Sequence, residues 1–475
     1  MGAFTLPDRF NANRVFLLNK SELEKRFDPF YYVPEIVELE KKVLKKNPKK
    51  LRDYVLRISS GATPKTTESE KYYTDKENGI PFLRVQNLSP TGVLEFEDCK
   101  YINKETHSGM LKRSQVFEGD LLVKITGVGR MAVSSVAPDG FEGNINQHIC
   151  VIRTGSKELS GTIAAYLNSD IGEKLASRRS TGGTRPALDY PALLSIPIVI
   201  NKRILEITKK AVTLWQKNDS KANKLFKGID NEILSNLGIK SDTQPDLSLK
   251  NRIFNTSLKL ISGNRFDSFF YQKKFLENLI AIKKGKYSFK PLREIIDNGL
   301  IKGCLPKSEE KNGEVFVVQI NSINPDGSVI LDDLLKAKNI FSERQRLNKG
   351  DILIVITGAT IGKIAYWDFL GEFYLGGDMV KFQTKADINS IYIFHFLRCS
   401  VIQTEIKRSV TGATNGHLSP SDIMNLPIPI PPRSVQDEIA MQITKIREQI
   451  FYLQDNSKDL FKAANNEIKH ILLNN

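Results

Sequence analysis

Residues 119–127 read Gly-Asp-Leu-Leu-Val-Lys-Ile-Thr-Gly, and residues 350–358, 231 positions later, read Gly-Asp-Ile-Leu-Ile-Val-Ile-Thr-Gly. The echo runs through the chain. Arg26-Phe27-Asp28-Pro29-Phe30-Tyr31-Tyr32 returns as Arg265-Phe266-Asp267-Ser268-Phe269-Phe270-Tyr271. Thr181-Gly182-Gly183-Thr184 returns as Thr411-Gly412-Ala413-Thr414, and Leu194-Ser195-Ile196-Pro197-Ile198 as Leu426-Pro427-Ile428-Pro429-Ile430. The offset stays between 230 and 239, so the order of motifs is kept. Such a chain is two copies of one unit, and a two-fold object suits a two-fold target.

The 475 residues would suit three domains by length alone, but the repeat argues for two large equivalent units. A formal charge of +15 and a pI near 9.4 favour a polyanionic partner, nucleic acid ahead of an anionic membrane. The competing reading is that the lysines serve only solubility. No stretch approaches the ~20 apolar residues of a membrane span, and no basic segment with an apolar core opens the chain. Cys99, Cys150, Cys304 and Cys399 are far apart in sequence, as expected of reduced thiols in a cytoplasmic protein. Neither they nor the five dispersed histidines have metal-ligand spacing, so no metal or other cofactor is expected.

Each copy is expected to be α+β in front and helical behind. β-type stretches run over 80–85, 121–126, 315–318 and 352–357, bounded by turns such as Pro138-Asp139-Gly140 and Pro325-Asp326-Gly327. Residues 160–179 and 388–408 have helical spacing of apolar positions, each expected as one helix. Behind the second front, Ile439, Ile443, Ile446, Ile450, Leu453, Leu460 and Ala464 keep a 4-3-4-3 rhythm that Ile468 and Leu472 extend, with Ser457 the polar break. This narrow stripe is a coiled-coil seam. A weaker seam runs through Ile204, Thr208, Ala211, Trp215, Ala222, Leu225, Ile229 and Ile233, interrupted by Asn218. Each stripe would expose its seam alone, so the two helices are expected to pair antiparallel, forming a spacer about 55–60 Å long. The expected layout is a first head over 1–200, a spacer helix over 201–238 and a connector over 239–262. A second head over 263–431 and a second spacer helix over 432–475 follow.

This ordered set resembles the specificity subunits of type I restriction–modification systems. The likeness is carried by Gly119-Asp120-Leu121-Leu122 and Gly350-Asp351-Ile352-Leu353, each running into Ile-Thr-Gly. With them go the turns at Thr181 and Thr411 and the Pro-Ile-Pro passage ending at Pro431-Pro432 before a heptad helix. The resemblance covers about residues 20–475. It implies two target-recognition domains separated by long conserved helices with pseudo-two-fold symmetry. It also implies a non-catalytic subunit that reads a bipartite double-stranded DNA target. Two methyltransferase subunits carrying S-adenosylmethionine would dock on it, with motor-nuclease subunits that consume ATP. The copies depart from one another at Arg185-Pro186-Ala187-Leu188 against Asn415-Gly416-His417-Leu418, and at Ile196-Pro197-Ile198-Val199 against the intact Pro-Ile-Pro passage. Heads that read different half-sites would diverge in this way.

Enzyme chemistry finds no footing. Gly358-Ala359-Thr360-Ile361-Gly362-Lys363 lacks the four-residue spacing of a phosphate loop and the hydroxyl residue after its lysine. No Asn/Asp-Pro-Pro-aromatic loop for amino methylation occurs, and Glu405-Ile406-Lys407 and Glu467-Ile468-Lys469 fall on helices without a strand-borne acidic partner. Base edges are read by Arg, Lys, Asn and Gln, and the best candidates are polar residues on turns between apolar strands. These are Arg84, Gln86 and Asn87, matched by Gln319 and Asn321, and Gln147 with His148. The basic clusters Arg178, Arg179, Thr181, Thr184, Arg185 and Lys407, Arg408, Thr411, Thr414, Asn415, His417 join them. Arg130 and Lys363 would be offered to phosphates from hairpins, unless the glycines there only make a turn. Asn after a strand also commonly just makes a turn. The rival functional readings are a scaffold or antirestriction-like protein of the same fold without DNA binding, and the recognition half of a single-chain enzyme.

Overall fold

The structure, a computed structural model, describes residues 11–24, 26–240, 255, 261, 265–307, 310–332, 334–412 and 416–474. Most of the expected connector at 239–262 lies outside the described residues. The chain divides into two compact units, Met1–Asp219 with Gln454–Asn475, and Ser220–Leu453.

In the first unit, α1 (Pro34–Leu44) precedes the strands β1 (Arg57–Ser60), β2 (Ile80–Leu83), β3 (Leu121–Lys124), β4 (Ser134–Val136), β5 (Glu142–Ile145) and β6 (Ile149–Arg153). Strands β1, β6, β3 and β4 form an antiparallel sheet in that order. Strands β2 and β5 pair in parallel within a second sheet. The helices α2 (Lys157–Asn168) and α3 (Asp170–Arg179) follow. Alternation along β3 sends Leu121 and Val123 toward the helices, among Ile163, Leu167 and Leu175. Leu122 points the other way, to Leu83, Val116 and Ile145 of the second sheet. The middle layer is buried on both faces. That is why its sequence reads as a continuous apolar run instead of an alternating one.

After α4 (Lys202–Asn236) and α5 (Lys273–Lys283), the second unit repeats this plan. Its strands are β7 (Ile296–Lys302), β8 (Lys311–Val318), β9 (Ile352–Val355), β10 (Ile364–Tyr366), β11 (Phe373–Leu375) and β12 (Met379–Thr384). The antiparallel order β7-β12-β9-β10 and the parallel pair β8-β11 are those of the first unit. Ile352 and Ile354 join the helix-side core while Leu353 and Val355 join the other. The Gly-Asp step that opens β3 and β9 is a folding device. Asp120 accepts from the Phe117 amide (2.9 Å) and pairs with Arg153 (3.3 Å). Asp351 accepts from the Asn348 amide (2.8 Å) and pairs with the buried Lys381 (2.8 Å). Burial pushes the Asp120 carboxyl up, opposed by that amide and by Arg153.

Where one helix is expected at 160–179, two are found, because Ser169 ends α2 and caps α3, accepting from the Gly172 amide at 3.1 Å. The expected helix at 388–408 is likewise α6 (Ser390–Leu397) and α7 (Ser400–Ser409), parted at Arg398 and Cys399. A serine or cysteine step leaves the apolar rhythm intact, so periodicity alone passes over the break.

The last helix, α8 (Arg433–Leu473), is 41 residues long and α4 is 35. In the first unit they meet through Arg203–Glu467 (3.0 Å), Trp215–Phe461 (ring centroids 6.3 Å) and Asn218–Ser457 (3.3 Å). Contacts that rise along α4 fall along α8, so the pairing is antiparallel. Both polar breaks of the seams thus face each other and share a hydrogen bond. In the second unit Ala222, Leu225 and Ile229 of α4 pack with Ile446, Ile450 and Leu453 of α8. No helix among the described residues is long and apolar enough to cross a membrane.

Candidate nucleic-acid interface

Three of the repeated motifs converge within each unit. In the first, Thr181 and Ala187 exchange main-chain hydrogen bonds (2.8 Å each), the Gly127 amide donates to the Pro186 carbonyl (3.0 Å), and Leu188 donates to Ile125 (2.8 Å). In the second, Thr411 and His417 exchange the same pair (2.9 and 2.7 Å), Gly358 donates to Gly416 (3.2 Å), and Leu418 donates to Ile356 (2.9 Å). The Thr-Gly turn is thereby stitched to the Ile-Thr-Gly end of the central strand. Gly182 and Gly412 have φ of +94° and +96°, a region that a side chain would strain.

The third motif locks this turn to the helix before it. Arg26 pairs with Asp28 (2.8 Å) and donates to the carbonyls of Arg179 (2.9 Å) and Ser180 (3.0 Å) at the end of α3. Arg265 pairs with Asp267 (2.7 Å) and donates to Ser409 (2.7 Å) and Val410 (3.3 Å) at the end of α7. These carbonyls have no partner within the helix, and a cation there also answers the helix dipole. In the sequence both arginines are legible only as part of a repeat, with no role attached. Their signal was an arginine two residues before an aspartate, repeated. In the second unit an open cleft of about 720 Å³ lies where the motifs meet, lined by Arg265, Phe269, Gly358, Lys407, Thr411 and Gly416 among others.

The candidate residues separate into those the fold engages and those it presents. Arg178 and Arg179 are 6% and 7% exposed, and both pair with buried Glu40. Arg178 also donates to the Tyr31 carbonyl (2.7 Å) and lies 4.1 Å over the Tyr31 ring. Arg408 is buried likewise, over Phe270 at 4.0 Å, donating to the Phe270 carbonyl (2.9 Å) and pairing with Glu405 (3.2 Å). Burial raises the Glu405 carboxyl, with Asn278 and Arg408 opposing. Asn87 is buried too, accepting from the Arg84 amide (2.8 Å) and donating to the Glu95 carbonyl (2.9 Å).

Arg130 is half-buried and donates to the Asn168 carbonyl (2.7 Å) and to Asp170 (3.3 Å), and Lys363 donates to the Ile323 carbonyl (2.9 Å). Half-buried Arg84 donates to the Asp98 carbonyl (2.5 Å). The short 3-10 turns Val85–Asn87 and Ile320–Ser322 correspond, so Gln86 matches Asn321, both exposed, while half-buried Gln319 sits at the place of Arg84.

Thr181, Thr184, Arg185, Gln147, Lys407, Thr411 and His417 are exposed. Gln147, half-buried His148 and Arg185 form one group, with Gln147–His148 and Arg185–His148 contacts of 3.2 Å each, and Thr63 donates to Gln147. Burial, helped by Arg185, lowers the His148 pKa and favours the neutral ring. Thr414 and Asn415 lie outside the described residues.

Residues 271–460 match the family model described as the type I restriction modification DNA specificity domain. Over 171 residues the chain is 25% identical to the type I restriction enzyme EcoKI specificity subunit of Escherichia coli (strain K12). That match takes in 34% of this chain and 36% of the relative, so it spans about a third of the relative's length. Among solved structures, the type I restriction–modification system S subunit from M. genitalium aligns with 90% of this chain and 96% of its own, at 12% identity and a TM-score of 0.42. The HsdS subunit from Thermoanaerobacter tengcongensis aligns over 90% and 96%, at 14% identity and a TM-score of 0.32. The matched region holds the second unit's Ile-Thr-Gly end, Thr-Gly turn and most of α8, and each has its counterpart among the motifs of the first unit.

Proposed function

We propose that this chain is a specificity subunit that binds double-stranded DNA through both units, each reading one half of a bipartite target. It positions and does no chemistry of its own. The single observation that carries the reading is the division within the converged motifs. The repeated main-chain bonds build the turn, and the side chains that differ, Arg185 and Ala187 against Asn415 and His417, follow each Thr-Gly-x-Thr. Exposed Gln86, Gln147, Thr184 and Arg185, with half-buried His148, would contact DNA from the first unit. Asn321, Lys407, Thr411, Thr414, Asn415 and His417 would do so from the second. Arg84, Asn87, Arg130, Arg178, Arg179, Lys363 and Arg408 support those surfaces through the contacts above, and Gln319 does so by donating its main-chain amide to Ser322 (3.3 Å). The charge of +15 supplies the sequence-independent attraction.

On the same reading, two methyltransferase subunits dock on the paired helices, where Met441, Phe451 and Tyr452 of α8 are about two-thirds exposed. Motor-nuclease subunits complete the assembly in the cytoplasm. The test is a mobility-shift titration of the full chain, alone and with its methyltransferase subunit, against random duplex at several salt concentrations, followed by selection from a randomised duplex pool. A steep negative dependence of log K on log salt and a split consensus are expected. A flat salt response in both preparations would identify a scaffold instead.

A further inference from the structure

Phe27 and Phe266 stand 86% and 85% exposed, the same residue at the same place in both copies. A lone exposed phenylalanine needs no explanation. Two at matching positions do, because each is held out by the same arginine–aspartate pair. The arginine before each phenylalanine is fixed to the aspartate after it and to two helix-end carbonyls, so the backbone between them is clamped from both sides. Such an arrangement fixes the backbone from which the ring projects, so only the side chain's own rotamers remain to be ordered on binding. Leu370 is as exposed, at 87%, but the first copy has Pro138-Asp139-Gly140 on the corresponding connection and no exposed large apolar residue there.

We infer that Phe27 and Phe266 are docking knobs for two copies of one protein subunit, each inserting into an apolar socket. Duplication argues for the same partner taken twice, since surfaces that read different half-sites would be free to diverge. Chemistry argues for protein over DNA. Each phenylalanine is followed by a carboxylate about two-fifths exposed, Asp28 and Asp267, and exposed Glu22 and Glu24 precede Phe27. The adjacent guanidiniums are engaged inward. The guanidinium beside each ring is already held by its aspartate and by helix-end carbonyls and is not offered to a phosphate, whereas an apolar socket needs no cation there. The partner is the methyltransferase subunit of the proposed function, on which this inference rests, and the contact is additional to the one on the helices.

The full chain is titrated with purified methyltransferase subunit and followed by native mass spectrometry and sedimentation. Wild type is expected to take two copies. Phe27→Ala and Phe266→Ala should each weaken one of the two sites by about tenfold or more, as truncating an aromatic anchor does, and the double variant both. Phe27→Tyr and Phe266→Tyr should restore binding, and Leu370→Ala should change nothing. Because the rings are exposed, melting curves should superimpose. If the alanine variants bind two copies with wild-type affinity, the inference is wrong while the function stands. Weakened random-duplex binding with unchanged subunit binding would assign the rings to DNA and overturn it as well. A wild-type chain that takes no methyltransferase removes the underlying reading and the inference together.

Discussion

Replacing Arg408 by Ala strands a carboxylate. Glu405 is buried and would keep only the Asn278 amide as a neutral donor (2.6 Å). Breaking a buried pair in this way costs roughly 3–5 kcal/mol, and Arg408→Ala should lower the second unit's unfolding midpoint accordingly in a denaturant titration. Removing both charges with Arg408→Met and Glu405→Leu should recover most of that loss, because a buried pair contributes little net stability over an apolar replacement. Arg185→Ala is the opposite case. Its side chain is exposed, so stability should stay within about 0.5 kcal/mol. The salt slope of random-duplex binding should fall by about one, or one base position of the target should relax. The same substitution lifts one of the two influences that lower His148, so its titration point, followed by imidazole NMR, should rise. An unchanged slope, an unchanged consensus and an unmoved imidazole would leave Arg185 without the role assigned to it. Sequence placed these arginines in one basic cluster. Only tertiary structure distinguishes them, since the partner of Arg178 and Arg179 lies well over a hundred residues away at Glu40.

At the scale of elements, the seams of α4 and α8 and the apolar strands were legible because side-chain period follows backbone geometry, 3.5 to 3.6 for helices and 2 for strands. Less legible were the breaks at Ser169 and Cys399, which use a residue's own side chain or backbone turn without disturbing that period. Nor could sequence reveal that Asn218 and Ser457, each a flaw in its seam, answer one another. A further hidden feature is His395 on α6, which is buried, with Nε2 making no hydrogen bond. Burial, with Arg447 nearby, holds its pKa down to about 3, well below the ordinary imidazole value of about 6.5. The folded state therefore refuses a proton that the unfolded chain accepts. Stability contributed by the neutral ring is fully present above about pH 6.5 and is lost as pH falls from there toward 3. The slope from this one group is at most about 1.4 kcal/mol per pH unit. His395→Phe should flatten the second unit's unfolding midpoint between pH 6.5 and 5. If the variant and wild type lose stability in parallel over that window, the imidazole is not the group responsible.

At the scale of the whole molecule, reading a bipartite target requires a ruler, and its candidate is the helix pair. The 41 residues of α8 amount to about 61 Å at 1.5 Å per residue. Inserting one heptad into α4 beside Asn218 and another into α8 beside Ser457 keeps both seams in phase, because seven residues return the apolar stripe to the same face. It lengthens the pair by about 10 Å, the rise of about three base pairs at ~3.4 Å each. Selection of the heptad-insertion variant on duplexes whose central spacer varies in length should then recover the same two half-sites with a spacer about three base pairs longer. An insertion into one helix alone would misalign Asn218 and Ser457 and should lower stability instead of shifting the spacer. Should the doubly extended chain fold normally and still select the wild-type spacer, the helices would be holding partners without measuring DNA, and the distance between half-sites would have to be set elsewhere.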